Sequence, residues 1–227
     1  MKKTAFALLL GSAASIASAT PVTPVGYDMP NGNGQAAGGQ YNYWDKEYTG
    51  SGTTSLDNAA LSGGTGNLTD GVVSTLNWYS TENVAGTGPY VGWRRTTLPN
   101  FQIQFSFGGP VNVDMISIHA DDSGGAGGVA LPSRVSFDWG TGNVSLAVVD
   151  PDLGTAPSWL VFDNLGITSA LSINVAFAYG NEWVFVDEVS FDGSSVGVPE
   201  PASWALAVLG LAVIPVMPRL RRRSKER

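Results

Sequence analysis

The stretch LSINVAFAY, residues 171–179, has a large apolar or aromatic side chain at every odd-numbered position and a small or polar one at every even-numbered position. Because successive side chains of a β-strand point to opposite faces, this alternation predicts a strand that is buried on one face and exposed on the other. The stretch FQIQFSF, residues 101–107, repeats the pattern and is followed by Gly108-Gly109-Pro110, which predicts the end of a strand. Both stretches indicate a protein built from antiparallel sheets.

Further strands are predicted on both sides of these two. Val111–His119 is predicted as a separate strand, and its apolar phase changes between Val113 and Ile116, which indicates a β-bulge or burial on both faces. No stretch of the body has a convincing 3.6-residue period. The other predicted strands are Tyr41–Tyr48, Arg134–Trp139, Asn143–Val149, Ser158–Asp163, Ala170–Tyr179 and Trp183–Phe191.

The number and spacing of these strands predict the fold class. Seven or more short strands separated by Gly, Pro, Asn and Asp are typical of an all-β antiparallel sandwich or jelly roll. We therefore predict one β-sandwich domain over residues 20–193, which is long enough to bury a core although the chain has no Cys. Asn31–Gly39 is predicted to be a long loop and Gly193–Val198 a short linker.

Residues 1–19 have the pattern of a secretory signal peptide. Lys2 and Lys3 precede the apolar run 4–10, and Ala17-Ser18-Ala19 supplies a small-x-small cleavage pattern. We therefore expect an exported protein with Thr20 as its mature N-terminus. A buried N-terminal helix is the alternative.

The C-terminal region contains a second apolar run, Ala202–Met217, which has 16 uncharged residues and is followed by the Arg-rich segment 218–227. A transmembrane helix needs about 20 apolar residues, so the run is marginal, and Pro215 would weaken its last turn. The basic segment is predicted to stay cytoplasmic, which leaves the body outside. The alternative is a buried C-terminal helix with a solvated tail.

Pro199-Glu200-Pro201 stands directly before this apolar run. The order Pro-Glu-Pro, short apolar helix, Arg-rich terminus resembles a PEP-CTERM sorting tail, here residues 194–227. The resemblance implies a Gram-negative host, a transient inner-membrane anchor and processing by an exosortase near the Pro-Glu-Pro motif. It also implies delivery to the cell surface or extracellular matrix in an exopolysaccharide or biofilm context.

Composition and charge exclude several classes of function. The absence of Cys excludes disulfide scaffolds and Cys-ligated zinc, and a single His excludes an HExxH zinc site. Residues 20–198 hold 17 acidic and four basic side chains, so this body has a net charge of −13. Such a body is repelled by phosphate backbones, and we therefore expect no nucleic-acid partner.

Short motifs occur in a characteristic order along the body. Leu68-Thr69-Asp70-Gly71 lies in an early loop, Asn77-Trp78 and Val91-Gly92-Trp93 follow, the 101–107 strand comes next, and Glu188 lies in the last strand. This order resembles the discoidin-like, or galactose-binding-like, jelly rolls, which include many carbohydrate-binding modules. The resemblance covers about residues 41–192.

The resemblance implies a structural calcium ion, since in that family the early loop and the last strand enclose one. By position, Asp70 and Glu188 would supply side-chain oxygens, and carbonyls near Leu68 and Ser74–Thr75, with Leu68 and Thr75 as the candidates, would complete the shell. Calcium takes six to eight oxygen ligands, which this Asn-, Thr-, Asp- and Ser-rich stretch offers. The alternative is an ordinary Asp-Gly turn and an exposed Glu at a sheet edge.

The loop 119–128 and two Trp residues are candidates for ligand binding. Asp121 and Asp122 are candidates for hydrogen bonds to sugar hydroxyls, and the alternative is a solvated Gly-rich connection. Trp78 and Trp93 lie in loop-like segments, where exposure would allow stacking on a sugar. Arg94, beside Trp93, is a candidate partner for acidic sugars. The strand residues Trp139, Trp159 and Trp183 are predicted to be core.

We expect no catalytic activity. Asp187 and Glu188 are adjacent on a strand and point to opposite faces, so they are poorly placed to act on one glycosidic bond. His119 has no second His to support it and is predicted to cap or pack. The predicted function is therefore a non-catalytic polysaccharide-binding module with structural calcium. The alternative is a structural acidic surface or matrix protein without a specific ligand.

Overall fold

The computed structural model describes residues 20–34 and 36–196, and these residues form an all-β, antiparallel fold with almost no helix. The helices are the single turns α1 (Ala36–Gly39) and α2 (Trp78–Thr81), and a 3₁₀ turn covers Ala126–Gly128. The predicted all-β class is confirmed. The strands are β1 (Thr20–Pro21), β2 (Gly26–Pro30), β3 (Ala60–Gly64), β4 (Val91–Arg94), β5 (Phe101–Ala120), β6 (Arg134–Asp138), β7 (Asn143–Ala147), β8 (Ser158–Phe162), β9 (Ile167–Ala178) and β10 (Trp183–Ser195).

Both predicted targeting segments fall outside this description. Residues 1–19 and the sorting motif, apolar run and basic segment within residues 197–227 lie outside the described residues. Within the described ranges, no helix is long and apolar enough to cross a membrane. The last strand runs to Ser195, two residues beyond the predicted domain boundary at 193.

The strand β5 is 20 residues long and connects two sets of strands. Its first half, Phe101–Ser106, pairs with β2 and β9, and β9 is followed by β6 and β7. Its second half, Val111–Ala120, pairs with β8 and β10, and β10 also pairs with β4 and β1. All these pairings are antiparallel, and one strand shared by two sets is consistent with the predicted jelly-roll β-sandwich.

The prediction that a strand ends at Gly108-Gly109-Pro110 was wrong. The strand β5 continues through these residues, and only its pairing with β9 is interrupted, between Ser106 and Val111. Pro110 has no N–H to donate, so it is tolerated where the ladder is broken. Its carbonyl accepts a hydrogen bond from the N–H of Val196 at 2.9 Å. The Gly-Gly-Pro segment therefore marks a change of partner and not a turn.

The bulge predicted between Val113 and Ile116 is confirmed. Met115 lies opposite Asp192, whereas Val113 lies opposite Gly193, so Asp114 is the extra residue of β5. An extra residue shifts the side chains that follow it to the other phase of the pleat. This shift is why Val113 and Ile116 are both buried although their sequence separation is odd.

The predicted strand Tyr41–Tyr48 does not form. Tyr43 donates its N–H to the carbonyl of Asn33 at 3.0 Å and accepts from the N–H of Gly92 at 3.0 Å. The N–H of Asp45 donates to the Asn31 side chain at 2.9 Å. Because side-chain and loop acceptors replace a regular ladder here, the segment is buried but irregular. The strands β2 and β3 were not predicted, since their sequences have little alternation.

Two clusters of buried side chains result from this topology. The main core lies between the strands and includes Ile103, Phe105 and Ile118. A second cluster, here called the aromatic cluster, contains Tyr43, Tyr90, Val129, Trp183 and Phe185, with Tyr41 and Trp78 packed against it. The aromatic cluster lies beside the loop that joins β3 to β4, and it supports the candidate site.

Candidate functional site

Three loops meet at one end of the strands, and we call them the loop face: residues 66–90, 121–131 and 149–157. Ala120, the last residue of β5, is paired with Ser158, the first residue of β8. The loop after β5 and the loop before β8 therefore leave the sheet at the same end. The loop 66–90 joins them through the side chain of Asn77.

Asn77 connects all three loops. Its side-chain amide donates to Asp121 Oδ1 at 2.9 Å, to Ser123 Oγ at 3.1 Å and to the carbonyl of Thr155 at 2.6 Å. Short polar side chains that bond to neighbouring backbone groups are the usual means of ordering irregular segments. The loop face is therefore held together by a side-chain network and not by a strand ladder.

Asp121 accepts most of that network and is not available to a ligand. Its side chain is 0% exposed, its Oδ2 accepts from the N–H of Trp78 at 2.6 Å, and its Oδ1 also accepts from Ser123 Oγ at 2.7 Å. Burial raises the pKa of Asp121, while these donors act in the opposite direction. The prediction that Asp121 binds sugar hydroxyls is corrected: the residue positions the Asn77–Trp78 segment.

Asp122 is also buried, and its carboxylate lies near those of Asp150 and Asp152. Its Oδ1 accepts from the N–H of Gly124 at 3.1 Å. Its carboxylate lies within 4.8 Å of those of Asp150 and Asp152, which raise its pKa in addition to the effect of burial. Asp122 therefore belongs to a group of three carboxylates, and its predicted hydrogen bonds to sugar hydroxyls stay a prediction.

Trp78 is half-buried. Its ring packs edge-on against Tyr41 at 5.1 Å and against Phe185 at 6.2 Å, and its Nε1 is buried without a hydrogen-bond partner. Gly127 has a φ of 64°, and a Cβ there would lie 2.5 Å from the Trp78 ring, so glycine is needed at this position. Trp78 therefore packs against the aromatic cluster with part of its ring, and its predicted stacking on a sugar stays a prediction.

Trp93 lies in the main core. It is 0% exposed, stacks on Phe101 with a centroid distance of 4.5 Å, and donates its Nε1–H to the carbonyl of Pro30 at 2.8 Å. Its predicted role in ligand stacking is therefore wrong. The error arose because Val91-Gly92-Trp93 resembles a loop in sequence, whereas the structure places it in β4 beside β10.

Arg94 is partly exposed and already paired. Its Nε donates to Glu182 Oε1 at 2.8 Å, and Arg95 lies 3.7 Å from the other oxygen of Glu182. The guanidinium of Arg94 also lies over the ring of Trp183 at 5.6 Å. An acidic sugar would have to compete with Glu182, so the predicted role of Arg94 as a free cation is not favoured.

The exposed groups of the loop face are ones that the sequence interpretation missed. Tyr79 is 53% exposed and contacts the Trp78 ring edge-on at 5.6 Å. Apolar side chains in the same loops are exposed as well, namely Val72, Val73, Leu76, Val84, Val149 and Leu153. The available signal was large apolar residues inside Gly-, Ser- and Asn-rich segments without strand alternation. Such an exposed group marks a candidate contact surface.

The expected burial of the strand Trp residues is only partly observed. Trp183 is buried in the aromatic cluster, and Trp139 is half-buried. Trp159 is 37% exposed and packs edge-on against His119 at 5.0 Å. The prediction was wrong for Trp159, because β8 points Leu160 and Phe162 inward and its other face outward.

The candidate calcium ligands Asp70 and Glu188 are brought together. Glu188 Oε2 accepts from the N–H of Gly71 at 2.8 Å, and Asp70 Oδ1 accepts from the N–H of Val72 at 2.8 Å. Burial raises the pKa of Glu188 to about 7, and the charge of Asp70 contributes to the rise. Two carboxylates that disfavour each other's charge in a partly buried site are the donor set that a hard cation suits.

The other two candidate ligands are placed differently from each other. The carbonyl of Leu68 accepts from the N–H of Val189 at 2.8 Å, which keeps it beside Glu188 and leaves one lone pair for an ion. Thr75 is exposed, and no hydrogen bond of the described residues joins it to Asp70 or Glu188. Leu68, Asp70 and Glu188 thus lie in one region of the molecule, Thr75 shares no hydrogen bond with them among the described residues, and calcium binding there stays a prediction.

Asp187 belongs to a separate buried pair. Its Oδ1 lies 2.6 Å from Nδ1 of His119, and its Oδ2 accepts from the N–H of Ser74 at 2.7 Å. His119 is buried, as its predicted packing role requires. The pair holds the middle of the loop 66–90 against β10.

The body of the chain matches a known protein family. Residues 24–193 match the family described as discoidin domain-containing receptor 1/2, DS-like domain. The discoidin domain-containing receptor tyrosine kinase B of Caenorhabditis elegans is 26% identical over 145 residues, which are 61% of this chain and 18% of that protein. The chain thus spans less than a fifth of that relative's length.

Two solved structures are similar in backbone. The F5/8 type C domain of a Bacteroides fragilis protein has a TM-score of 0.44 and 11% identity, and the match covers 78% of this chain and 98% of that one. A truncated AlyQ with CBM32 and alginate lyase domains has a TM-score of 0.40 and 14% identity, and the match covers 80% of this chain and 35% of that one.

Proposed function

The chain belongs to the family of discoidin domain-containing receptor 1/2 DS-like domains, and from this premise we propose that residues 20–196 form a non-catalytic recognition module whose loop face binds an extracellular polysaccharide. The observation that carries the proposal is the exposed ring of Tyr79 on a loop that Asn77 locks in place. A rigid scaffold that presents variable loops is a common way to build a binding site.

The chemistry of the loop face suits a sugar. A tyrosine ring has an apolar face for the C–H groups of a pyranose and a hydroxyl for a hydrogen bond. Asn77, two residues before Tyr79, donates to the carbonyl of Thr155, and Leu76 is an exposed apolar side chain of the same loop. A pre-ordered aromatic residue loses little conformational entropy on binding, which favours affinity.

The test measures binding of the full chain to the exopolysaccharide of its own host by co-sedimentation. Tyr79→Ala should weaken binding at least about tenfold, because it removes the central ring of the contact. Leu171→Ala is the matched control, since Leu171 is exposed on β9 outside the loop face. Absence of binding by the unaltered chain would favour the structural acidic matrix protein instead.

Calcium between Asp70 and Glu188 is a second part of this proposal. The ion would hold the early loop on β10 and offset the cost of two neighbouring carboxylates in a partly buried site. Calcium should raise the melting temperature of the full chain by several degrees over EDTA. Glu188→Gln should abolish that increase, whereas Asp163→Asn, an exposed carboxylate elsewhere, should keep it. An equal melting temperature in calcium and EDTA contradicts the site.

Export and sorting rest on the terminal sequences. We propose that the signal peptide directs export and that an exosortase processes the tail at Pro199-Glu200-Pro201, which releases the module to the cell surface or matrix. Deletion of residues 199–201 should retain the chain in the inner-membrane fraction, whereas Ser224→Ala should not. Release of the deletion variant at the normal rate would contradict processing at this motif.

A further inference from the structure

The outer face of the sheet formed by β2, β5, β9, β6 and β7 carries polar side chains in register. In β5 the buried residues Phe101, Ile103 and Phe105 alternate with Gln102 and Gln104, which therefore point outward. The main core covers the inner face of this sheet, and the outer face carries no layer of described residues that would bury these amides.

One row of this face crosses five strands. The residues that lie directly opposite one another in successive strands are, in order, Asp28, Gln104, Asn174, Asp138 and Asn143. Neighbouring strands are about 4.8 Å apart, so the row is about 19 Å long. Gln104 Nε2 donates to Asn174 Oδ1 at 3.1 Å, which orients both carboxamides along the row.

The start of the row lies in a groove of about 480 Å³ between β3 and β9. Met29 and Leu61 are among the apolar residues that line it. Its polar lining consists of Asp28, Asn58, Ser62, Gln102, Gln104 and Asn174. The groove lies on a different part of the fold from the loop face.

One polar atom of the lining has no partner. Asn58 Oδ1 is buried and accepts no hydrogen bond from the described residues. The backbone of Asn58 has a φ of 54°, in the left-handed region. Because Asn58 Oδ1 has almost no exposed area, the ligand-facing polar groups of the groove are the other ones of its lining. By contrast, Asp28 Oδ1 already accepts from Ser62 Oγ at 2.9 Å and from the N–H of Gly63 at 2.7 Å.

The donor and acceptor chemistry identifies the class of ligand. Each carboxamide both donates and accepts hydrogen bonds, as a sugar hydroxyl does. The lining contains one carboxylate and no Lys, Arg or His, within a body of net charge −13, so an acidic polymer would be repelled. A peptide would add to a free strand edge, whereas this groove lies on a sheet face.

We infer that this groove is a second carbohydrate site, which binds a neutral polysaccharide chain laid across the strands along the row from Asp28 to Asn174. The site goes beyond the loop-face function and does not depend on it. Two sites on one module would allow it to hold two segments of polymer at once, which raises avidity where both can be reached.

The test is affinity electrophoresis of the full chain in gels that contain a neutral probe, namely dextran, mixed-linkage β-glucan or galactomannan, with alginate as the acidic probe. At least one neutral probe should retard the chain, and alginate should not do so through this groove. The double variant Gln104→Ala/Asn174→Ala should bind that probe about tenfold more weakly, because two hydrogen-bonding side chains are lost.

Control variants separate this site from the loop face and from a folding defect. Asn174→Asp keeps the shape but adds a charge, so it should also weaken binding at an unchanged melting temperature. Ser145→Ala on β7 should keep neutral-glucan binding, and Tyr79→Ala reports on the loop face separately. The inference is overturned if no neutral probe retards the chain, if the double variant binds as the wild type does, or if only Tyr79→Ala loses the neutral probe. That last result would leave the loop-face proposal intact.

Discussion

The main core and the aromatic cluster are two buried regions that are built in opposite ways. The main core is packed from apolar and aromatic side chains on regular strands. The aromatic cluster lies beside buried acidic groups, among them Glu82, Asp121 and Asp187. Among the described residues, six buried side-chain polar atoms lack a hydrogen-bond partner, and five of them belong to residues 67–82.

The difference shows which region keeps its stability as pH and ions change and which region depends on pH and ions for its order. Apolar burial depends little on pH or ions, whereas a buried carboxylate depends on both. The strands therefore form a constant scaffold, while the order of the loop face depends on protonation and, as proposed, on calcium. A binding surface built over such a region is rigid only under conditions that satisfy its polar groups.

The largest expected effect comes from the main core. Phe105 is fully buried and packs against Phe191 with a centroid distance of 5.1 Å. Phe105→Ala should lower the free energy of unfolding by about 4 kcal/mol, since it removes a large buried ring and leaves a cavity. Urea denaturation measures this loss. Val161→Ala, at an exposed position of β8, should change it by less than about 0.5 kcal/mol. Similar losses in both variants would show that burial does not set the stability.

The next largest effect is the pH dependence that Glu82, beside the aromatic cluster, gives to the free energy of unfolding. Glu82 is 7% exposed, and burial raises its pKa from 4.5 to about 8, although its Oε1 accepts from the N–H of Tyr90 at 3.0 Å. Between pH 4.5 and pH 8 the folded chain keeps a proton that the unfolded chain releases. The contribution of Glu82 therefore lowers stability as pH rises through this window.

Glu82→Gln removes that titration. From pH 5 to pH 7.5 the wild type should lose about 3 kcal/mol more stability than the variant does. Urea denaturation at the two pH values measures the difference. Glu47→Gln, an exposed carboxylate, should keep the wild-type slope. Parallel pH profiles of the wild type and Glu82→Gln would show that Glu82 does not titrate in this range.

The smallest effect is local to the loop face. Asn77→Ala removes the amide that bonds to Asp121, Ser123 and Thr155, and should cost about 2 kcal/mol. Hydrogen exchange should accelerate in the loops 66–90, 121–131 and 149–157, while amides of β5 and β9 stay protected. Asn83→Ala, whose side chain bonds to Thr87 and to no other described residue, should leave exchange in the loops 121–131 and 149–157 unchanged. Equal acceleration in β9 after Asn77→Ala would show that the two regions unfold together.

The strand core was predictable because its sequence pattern has a direct physical cause. The alternation in 101–107 and 171–179 and the phase change at Val113–Ile116 each correspond to an observed strand or bulge. The side-chain period of a strand is local, so it can be read from neighbouring residues alone. The alternation could not show that β5 continues through Gly108-Gly109-Pro110, because that depends on which strands lie on either side.

The site was only partly predictable. Asp70 and Glu188 are 118 positions apart and were paired by family resemblance, and the structure brings them to the same place through Gly71. Trp93 was predicted to be exposed and is buried, whereas Trp159 was predicted to be buried and is exposed. In β8 both phases carry large apolar side chains, and only the packing of β5 against it decides that Trp159 points outward.

By itself, the sequence determined the all-β class, the principal strands, the acidic body and the two candidate targeting segments, because alternation, composition and charge are properties of neighbouring residues. The tertiary structure alone decided that Trp93 and Asp121 are interior, that Trp78 is half-buried, that Tyr79 is exposed, and that Gln104 and Asn174 share a row. Burial and cross-strand register depend on which distant segments pack together, and no local pattern records that choice.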